Sequence, residues 1–437
     1  MATDTRRAHP IPGRGVPRPL REFLATEASG GILLLVAAVV ALVWANSPWS
    51  ASYGQLWHTD VTLNFGRYVL EGDLHHWVND ALMVVFFFVV GLEIKHELVH
   101  GKLRDPRTAA MPAVAALGGM VLPAALFFLV TAGGDGSRGW GIPMATDIAF
   151  AVGVVTLLGP RVPSSLKLFL LTLAIVDDVG AIIVIGVFYS SGLQPEFLGV
   201  AAGIVLVIVL LSRSGVVWLT PYLVLGAALW LATYASGVHA TIAGVVLGLL
   251  TPAGRLFPAS VAREWANDLE DEPSAEEMHA MTRLARHSVS PAERIAHLLH
   301  PWSSFLIVPL FALANAGVSI KADAFEGAGA AAVTGGVMLG LVAGKTLGIT
   351  GAAWLGVRLG IARLPEGTNW RMMFGIAAVA GIGFTVSLFV AELAFTDGSL
   401  RDAAKIGVLA ASAVAAVIGG IALSRACRDK AIPASQR

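Results

Sequence analysis

Residues 166–189 read LKLFLLTLAIVDDVGAIIVIGVFY, an apolar run with two adjacent carboxylates, Asp177 and Asp178, at its centre. At 1.5 Å per residue such a helix spans about 30 Å, the thickness of a bilayer's hydrocarbon core. The rest of the chain agrees with a membrane reading. Of its 437 residues only 14% are charged and 56% are hydrophobic, with 48 glycines besides and a mean hydropathy of +0.72. Soluble domains carry about 25% charged residues, so a soluble enzyme, a disordered chain and a nucleic-acid binder are all excluded as classes. A formal net charge of zero carries no bias toward polyanions. Cys427 is the only cysteine, which excludes an internal disulfide and a cysteine-based zinc site.

A backbone in hydrocarbon must satisfy its own hydrogen bonds, as a helix bundle or as a closed barrel of short alternating strands. Long uninterrupted apolar runs select the bundle. Spans are expected near 29–46, 76–99, 108–131, 141–158, 166–189, 196–212, 217–235, 238–251, 302–318, 328–357, 372–395 and 405–424. They divide the chain into an N-terminal segment 1–28, a twelve-span domain 29–424 and a tail 425–437. The first span ends Val43-Trp44-Ala45, the pattern of a cleavable leader. Its long flank and the basic-residue distribution fit a retained helix better. With both ends cytoplasmic, 22 of the 30 basic residues lie inside and five (Arg67, Arg138, Lys321, Arg401 and Lys405) outside, the asymmetry that orients membrane proteins. Lys95, Lys167 and Lys345 fall within spans. The loop 252–299, with an acidic run from Asp268 to Glu277, reads as a solvated segment. Residues 53–70 alternate around Trp57 to Phe65 and are expected to form a short extracytoplasmic strand pair whose open edge could join a second copy.

Asp147, Asp177, Asp178 and Lys345 interrupt apolar sequence. Buried ionisable residues cost about 2.5–3.5 kcal/mol each on insertion scales, so four isolated ones would cost roughly 10 kcal/mol and are expected to share one polar cavity. A purely structural ion-pair cluster accounts for one aspartate with Lys345 and leaves two acids without partners. Adjacent helical residues point about 100° apart, so one of Asp177 and Asp178 can meet a lysine while the other faces the cavity. Carboxylate and hydroxyl oxygens suit small hard cations as well as protons, and Asp178, Asp147 and Thr146 are candidates to bind either. A proton and a cation competing for the same oxygens, in a cavity that opens to each side in turn, produce exchange. Glycines at Gly139 and Gly141 before Thr146-Asp147, and at Gly381 and Gly383 before Thr385, are the sequence mark of interrupted helices near a midplane site.

At these residues the chain resembles the NhaA-type bacterial sodium/proton antiporters, through Ala145-Thr146-Asp147-Ile148-Ala149-Phe150, Ile175 to Gly180, Gly344-Lys345, Gly381-Ile382-Gly383-Phe384-Thr385, Gly237-Val238-His239-Ala240-Thr241, His300-Pro301-Trp302 and Gly91-Leu92-Glu93. The resemblance covers about residues 20–424. It implies an all-α bundle of about twelve spans in the bacterial inner membrane, with inverted repeats in spans 3–5 and 10–12 and with broken spans 4 and 11 crossing at the midplane. It implies Asp178 as central ion ligand, Asp177 paired with Lys345 and engaged in proton exchange, and Thr146 and Asp147 at the crossing. It further implies electrogenic, pH-regulated export of sodium or lithium against inward protons, no cofactor, no organic substrate, lipid as surroundings and a homodimer through the strand pair. Glu93, Glu97, His239, His297 and His300 are the pH-response candidates. Ala296 and His96 depart from the family pattern at positions usually acidic and arginine, which leaves the pH set point open.

Three other readings have residues behind them. His96-Glu97-Leu98-Val99-His100 fits the H-E-x-x-H zinc protease pattern, which puts two imidazoles one helical turn apart. It leaves the buried aspartates and Lys345 unexplained, whereas an amphipathic helix end explains the motif itself. Asp147 with Asp177 superficially suits an intramembrane aspartyl protease, but Gly381-Ile382-Gly383 is followed by Phe384 instead of aspartate. A sodium-coupled solute symporter would need sodium flux that depends on a solute.

Overall fold

The structure is a computed structural model, and it describes residues 18–65, 68–190, 192–216, 218–254, 274, 289–320, 327 and 329–431. The acidic run Asp268–Glu277, apart from residue 274, and the basic residues Arg67 and Lys321 lie outside the described residues.

Helix α1 runs Arg18–Ala45 and turns sharply into α2, Ser50–Trp57. Two antiparallel strands follow, β1 (Asp60–Phe65) and β2 (Tyr68–Asp73), with Asp60 opposite Asp73 and Leu63 opposite Leu70. The strand pair therefore begins later than the alternation around residue 53 suggested. Tyr53 and Trp57 stand one helical turn apart in α2 and are both buried, ring against ring at 6.2 Å, so packing on the bundle turns that stretch into helix.

Helix α3 (Leu74–Val99) is followed by α4 (Pro106–Thr131), a tight 3₁₀ segment Asp135–Met144, α5 (Ile148–Leu157) and α6 (Ser164–Phe188). Then come α7 (Pro195–Arg213), α8 (Leu219–Ala235), α9 (Thr241–Leu250), α10 (Pro291–Asn315) and α11 (Ala330–Arg358). The chain closes with α12 (Trp370–Val379), α13 (Phe384–Ala394) and α14 (Gly398–Ala431). Among the described residues seven helices are long and apolar enough to cross a membrane, or up to ten if each bent pair counts as one span. The segment before α5 meets it at 47°, and α12 meets α13 at 48°. Helices α8 and α9 are apolar but shorter. Both α1 and α14 run past the expected boundaries at 28/29 and 424/425.

The elements that hold the charged residues pack through small side chains. Helices α4 and α11 approach at Gly118 and Gly348, where a Cβ on either glycine would strike the other's carbonyl oxygen. Such contacts between small residues are the usual way for helices to associate where burial in lipid brings no hydrophobic gain. Asp105 starts α4: its carboxylate accepts from Arg107 N (3.2 Å) and Thr108 Oγ1 (2.6 Å), with Pro106 at the first helical position.

Candidate functional site

Backbone groups freed by the two breaks meet each other. Asp147 N donates to Ile382 O at 2.7 Å, Thr146 Oγ1 lies 2.9 Å from Ala380 O, and Ser387 Oγ donates to Ile142 O at 2.7 Å. Gly381 is required here, since a Cβ would collide with the carbonyl oxygen of Leu341. Gly383 is similarly crowded, by Ser387 and Leu341.

Asp147 organises the crossing. Its Oδ1 accepts from Phe150 N at 2.9 Å and so caps α5. Its Oδ2 accepts from Thr385 N (3.1 Å) and Thr385 Oγ1 (2.7 Å) at the start of α13. One carboxylate thus faces the positive ends of two helix dipoles. Lys345, fully buried at the end of a π-helical stretch of α11, bonds Asp177 Oδ2 and donates to Thr146 Oγ1 at 2.8 Å. Having one proton, the Thr146 hydroxyl gives it to Asp177 Oδ2 (2.8 Å) or to Ala380 O.

Asp177 and Asp178 part company as consecutive helical residues must. Asp177 is fully buried in the Lys345–Thr146 cluster. Asp178 lines a cavity of about 60 Å³ together with Thr146, Asp147, Thr385, Glu93 and His300. Its Oδ1 is buried and, among the described residues, has no hydrogen-bond partner. That volume holds a few water molecules or a small ion.

The pH-response candidates divide by place. Glu93 and His300 face each other across the cavity at 3.9 Å. Glu97 accepts from Lys102 N at 2.9 Å and ends its helix, and His297 is exposed on α10 away from the cavity lining. His239 lies toward the hairpin end, where its Nε2 is 3.4 Å from Asp80 Oδ1. Among the described residues no group of three or more His, Cys, Asp or Glu could hold a metal ion, and the glutamate of the H-E-x-x-H pattern serves as that helix-ending acceptor.

Sequence reasoning missed a buried cluster at the hairpin end. Glu392 of α13 pairs with Lys405 of α14, and Arg401 Nη1 stands 3.4 Å from its Oε2. Lys405, one of the five basic residues assigned to the outer side, is buried. The signal was present: Glu392 is an acid in an apolar run, and Lys405 and Arg401 are the nearby cations along the chain.

Residues 21–423 match the family described as Na+/H+ antiporter 1. The chain is 48% identical to Na(+)/H(+) antiporter NhaA 3 of Frankia alni, over 97% of this chain and 93% of that one. It is 47% identical to Na(+)/H(+) antiporter NhaA of Rhodopirellula baltica, over 92% of each. Among solved structures it resembles the sodium proton antiporter MjNhaP1 of Methanocaldococcus jannaschii, with a TM-score of 0.50 at 13% identity, covering 93% of this chain and 97% of that one. The last likeness concerns the fold alone.

Proposed function

The chain belongs to the Na+/H+ antiporter 1 family, and from that premise we infer that it is a multi-pass membrane antiporter exchanging sodium for protons. The observation that carries the site assignment is the contrast between two neighbouring acids: Asp177 is neutralised by Lys345 and lies off the cavity lining, while Asp178 lines the cavity.

In this reading Asp178 is the central ligand of sodium or lithium, the transported substrate. A hard cation and a proton compete for its oxygens, so binding one expels the other. The Asp177–Lys345 pair, steadied by Thr146, takes part in proton exchange, because a proton moved to Asp177 releases the ammonium. Thr146 supplies a further oxygen, and Asp147 holds the two broken segments together and closes the cavity wall. A cavity of about 60 Å³ falls far short of the 300–1,000 Å³ of typical small-molecule sites, which supports the expectation of no organic substrate.

The finer architecture follows the same reading. The seven long helices, the three bent pairs and the two shorter apolar helices serve as twelve crossings, with α4 to α6 and α11 to α14 as the inverted repeats. The distribution of basic residues puts both termini and the Glu93–His300 mouth in the cytoplasm of a bacterial inner membrane. The Glu93–His300 pair is then the pH-responsive group nearest the path, and β1–β2 is the contact of a homodimer. Transport is outward for sodium and inward for protons, with net charge moved. Sodium-dependent proton movement in proteoliposomes, measured over a pH series, tests the assignment. Sodium flux without counter-movement of protons at every pH would overturn it.

A further inference from the structure

Two layers of side chains lie between the cavity-lining residues and the hairpin. Along α3 the order is Glu93 at the cavity, then Phe87, then Asn79 and His75 toward the hairpin. Along α13 it is Thr385 at the cavity, then Phe389, then Glu392, whose seven-residue offset amounts to about 10 Å of helix. The inner layer is apolar: buried Phe389 lies 5.2 Å from Phe87 and 6.2 Å from Phe311 by ring centroid, with His239 edge-on to it at 5.2 Å.

The outer layer is a directed hydrogen-bond chain. Asn315 Nδ2 donates to Phe311 O (3.0 Å) and to Asn79 Oδ1 (2.8 Å). A carbonyl can only accept, so the Asn315 amide is fixed with Oδ1 toward His75 Nε2 at 3.0 Å, which must carry the ring proton. Asn79 Nδ2 lies against the imidazole ring, 3.2 Å from His75 Nδ1 and 3.4 Å from its Nε2. The same Nε2–H lies 3.6 Å from Glu392 Oε1. The charged and titratable groups around this contact are Lys405, Arg401 and Asp402 of α14, Asp73 ahead of α3, and the Tyr53 phenol of α2. One turn along α3, Asp80 is held by His76 (3.2 Å) and His239 (3.4 Å).

Glu392 rides on the half-helix whose other end grips Asp147, whereas His75, Asn79 and Asn315 sit on α3 and α10, which carry no part of the crossing. We propose that Glu392 and His75 form the seam that closes the hairpin face, made while the cavity face is accessible and parted when the site turns to the hairpin face. They act as positioning residues, setting the balance of the two states without touching the ion. The inference rests on the antiport reading, because only alternating access needs a closure that parts.

The test is the sodium KM of His75→Gln and Glu392→Gln, each measured from both faces in oriented proteoliposomes beside the wild-type protein. Weakening a seam that favours the cavity-facing state lowers the KM on the hairpin face, by about threefold or more, and raises it on the cavity face. A merely structural role lowers the maximal rate and the thermal midpoint without moving the two KM values in opposite directions, and that result overturns the seam. His75→Gln leaves the Glu392–Lys405–Arg401 cluster intact and decides the matter if Glu392→Gln does not insert. Loss of exchange in the wild-type protein would instead strike at the antiport reading.

Discussion

Asp178→Asn keeps the shape of the side chain and removes the charge that a cation needs, so sodium binding and exchange are lost while the protein stays folded. Isothermal titration with sodium and a melting curve check the two halves of that statement. Lys345→Ala acts oppositely. It leaves Asp177 as an uncompensated buried charge at a cost of about 3–5 kcal/mol, and adding Asp177→Asn to Lys345→Ala recovers part of the loss. A double-mutant cycle on thermal unfolding measures the coupling, and additive effects would refute the pairing. At Asp147 the carboxylate serves two helix starts, so Asp147→Ala costs about 1–3 kcal/mol and loosens the crossing, while Asp147→Asn costs less because one acceptor oxygen remains.

Helices α4 and α11 meet where neither has a side chain. Gly348 stands three residues after Lys345 on the same face of α11, so Gly348→Val pushes α11 off α4 and carries the ammonium away from Asp177. The expected loss is about 1–3 kcal/mol with a fall in exchange rate, read by melting and proteoliposome assays. At the start of α4, the hydrogen bond from Thr108 and that from the Arg107 amide hold the Asp105 carboxyl below its ordinary value. A depressed folded-state pKa means that the cap contributes fully above the usual carboxylate range and is lost as pH falls through the lowered value. Amide exchange at Thr108 and Ala109 should therefore accelerate in that acid window, and Asp105→Ala should show the faster exchange already at neutral pH.

Across the whole molecule, one net charge moved per cycle would couple transport to about 2.3 kcal/mol per 100 mV of membrane potential. An imposed voltage, negative on the side that protons enter, should then speed exchange, and a rate indifferent to voltage would mean an electroneutral cycle. Among the described residues the two strands of the hairpin pair only with each other. Removing residues 60–73 should turn a dimer in detergent into a monomer while exchange persists, as sedimentation would report.

Local chemistry determined much of this protein. The apolar runs declared helices in lipid, because hydrocarbon leaves a backbone no other partner. Buried Asp147, Asp177, Asp178 and Lys345 declared a shared site, because isolated charges there are too costly. Even the divergence of Asp177 from Asp178 follows from helical geometry. Which of the two meets Lys345 does not, since it depends on the rotation of α6 against α11, and that phase is set by packing between segments far apart in the chain. The double capping by Asp147 joins residues 147 and 385, and the contact of His75 with Glu392 joins α3 to α13. Neither leaves a mark in any local window, because side chains hundreds of residues apart become neighbours only when the bundle closes around them.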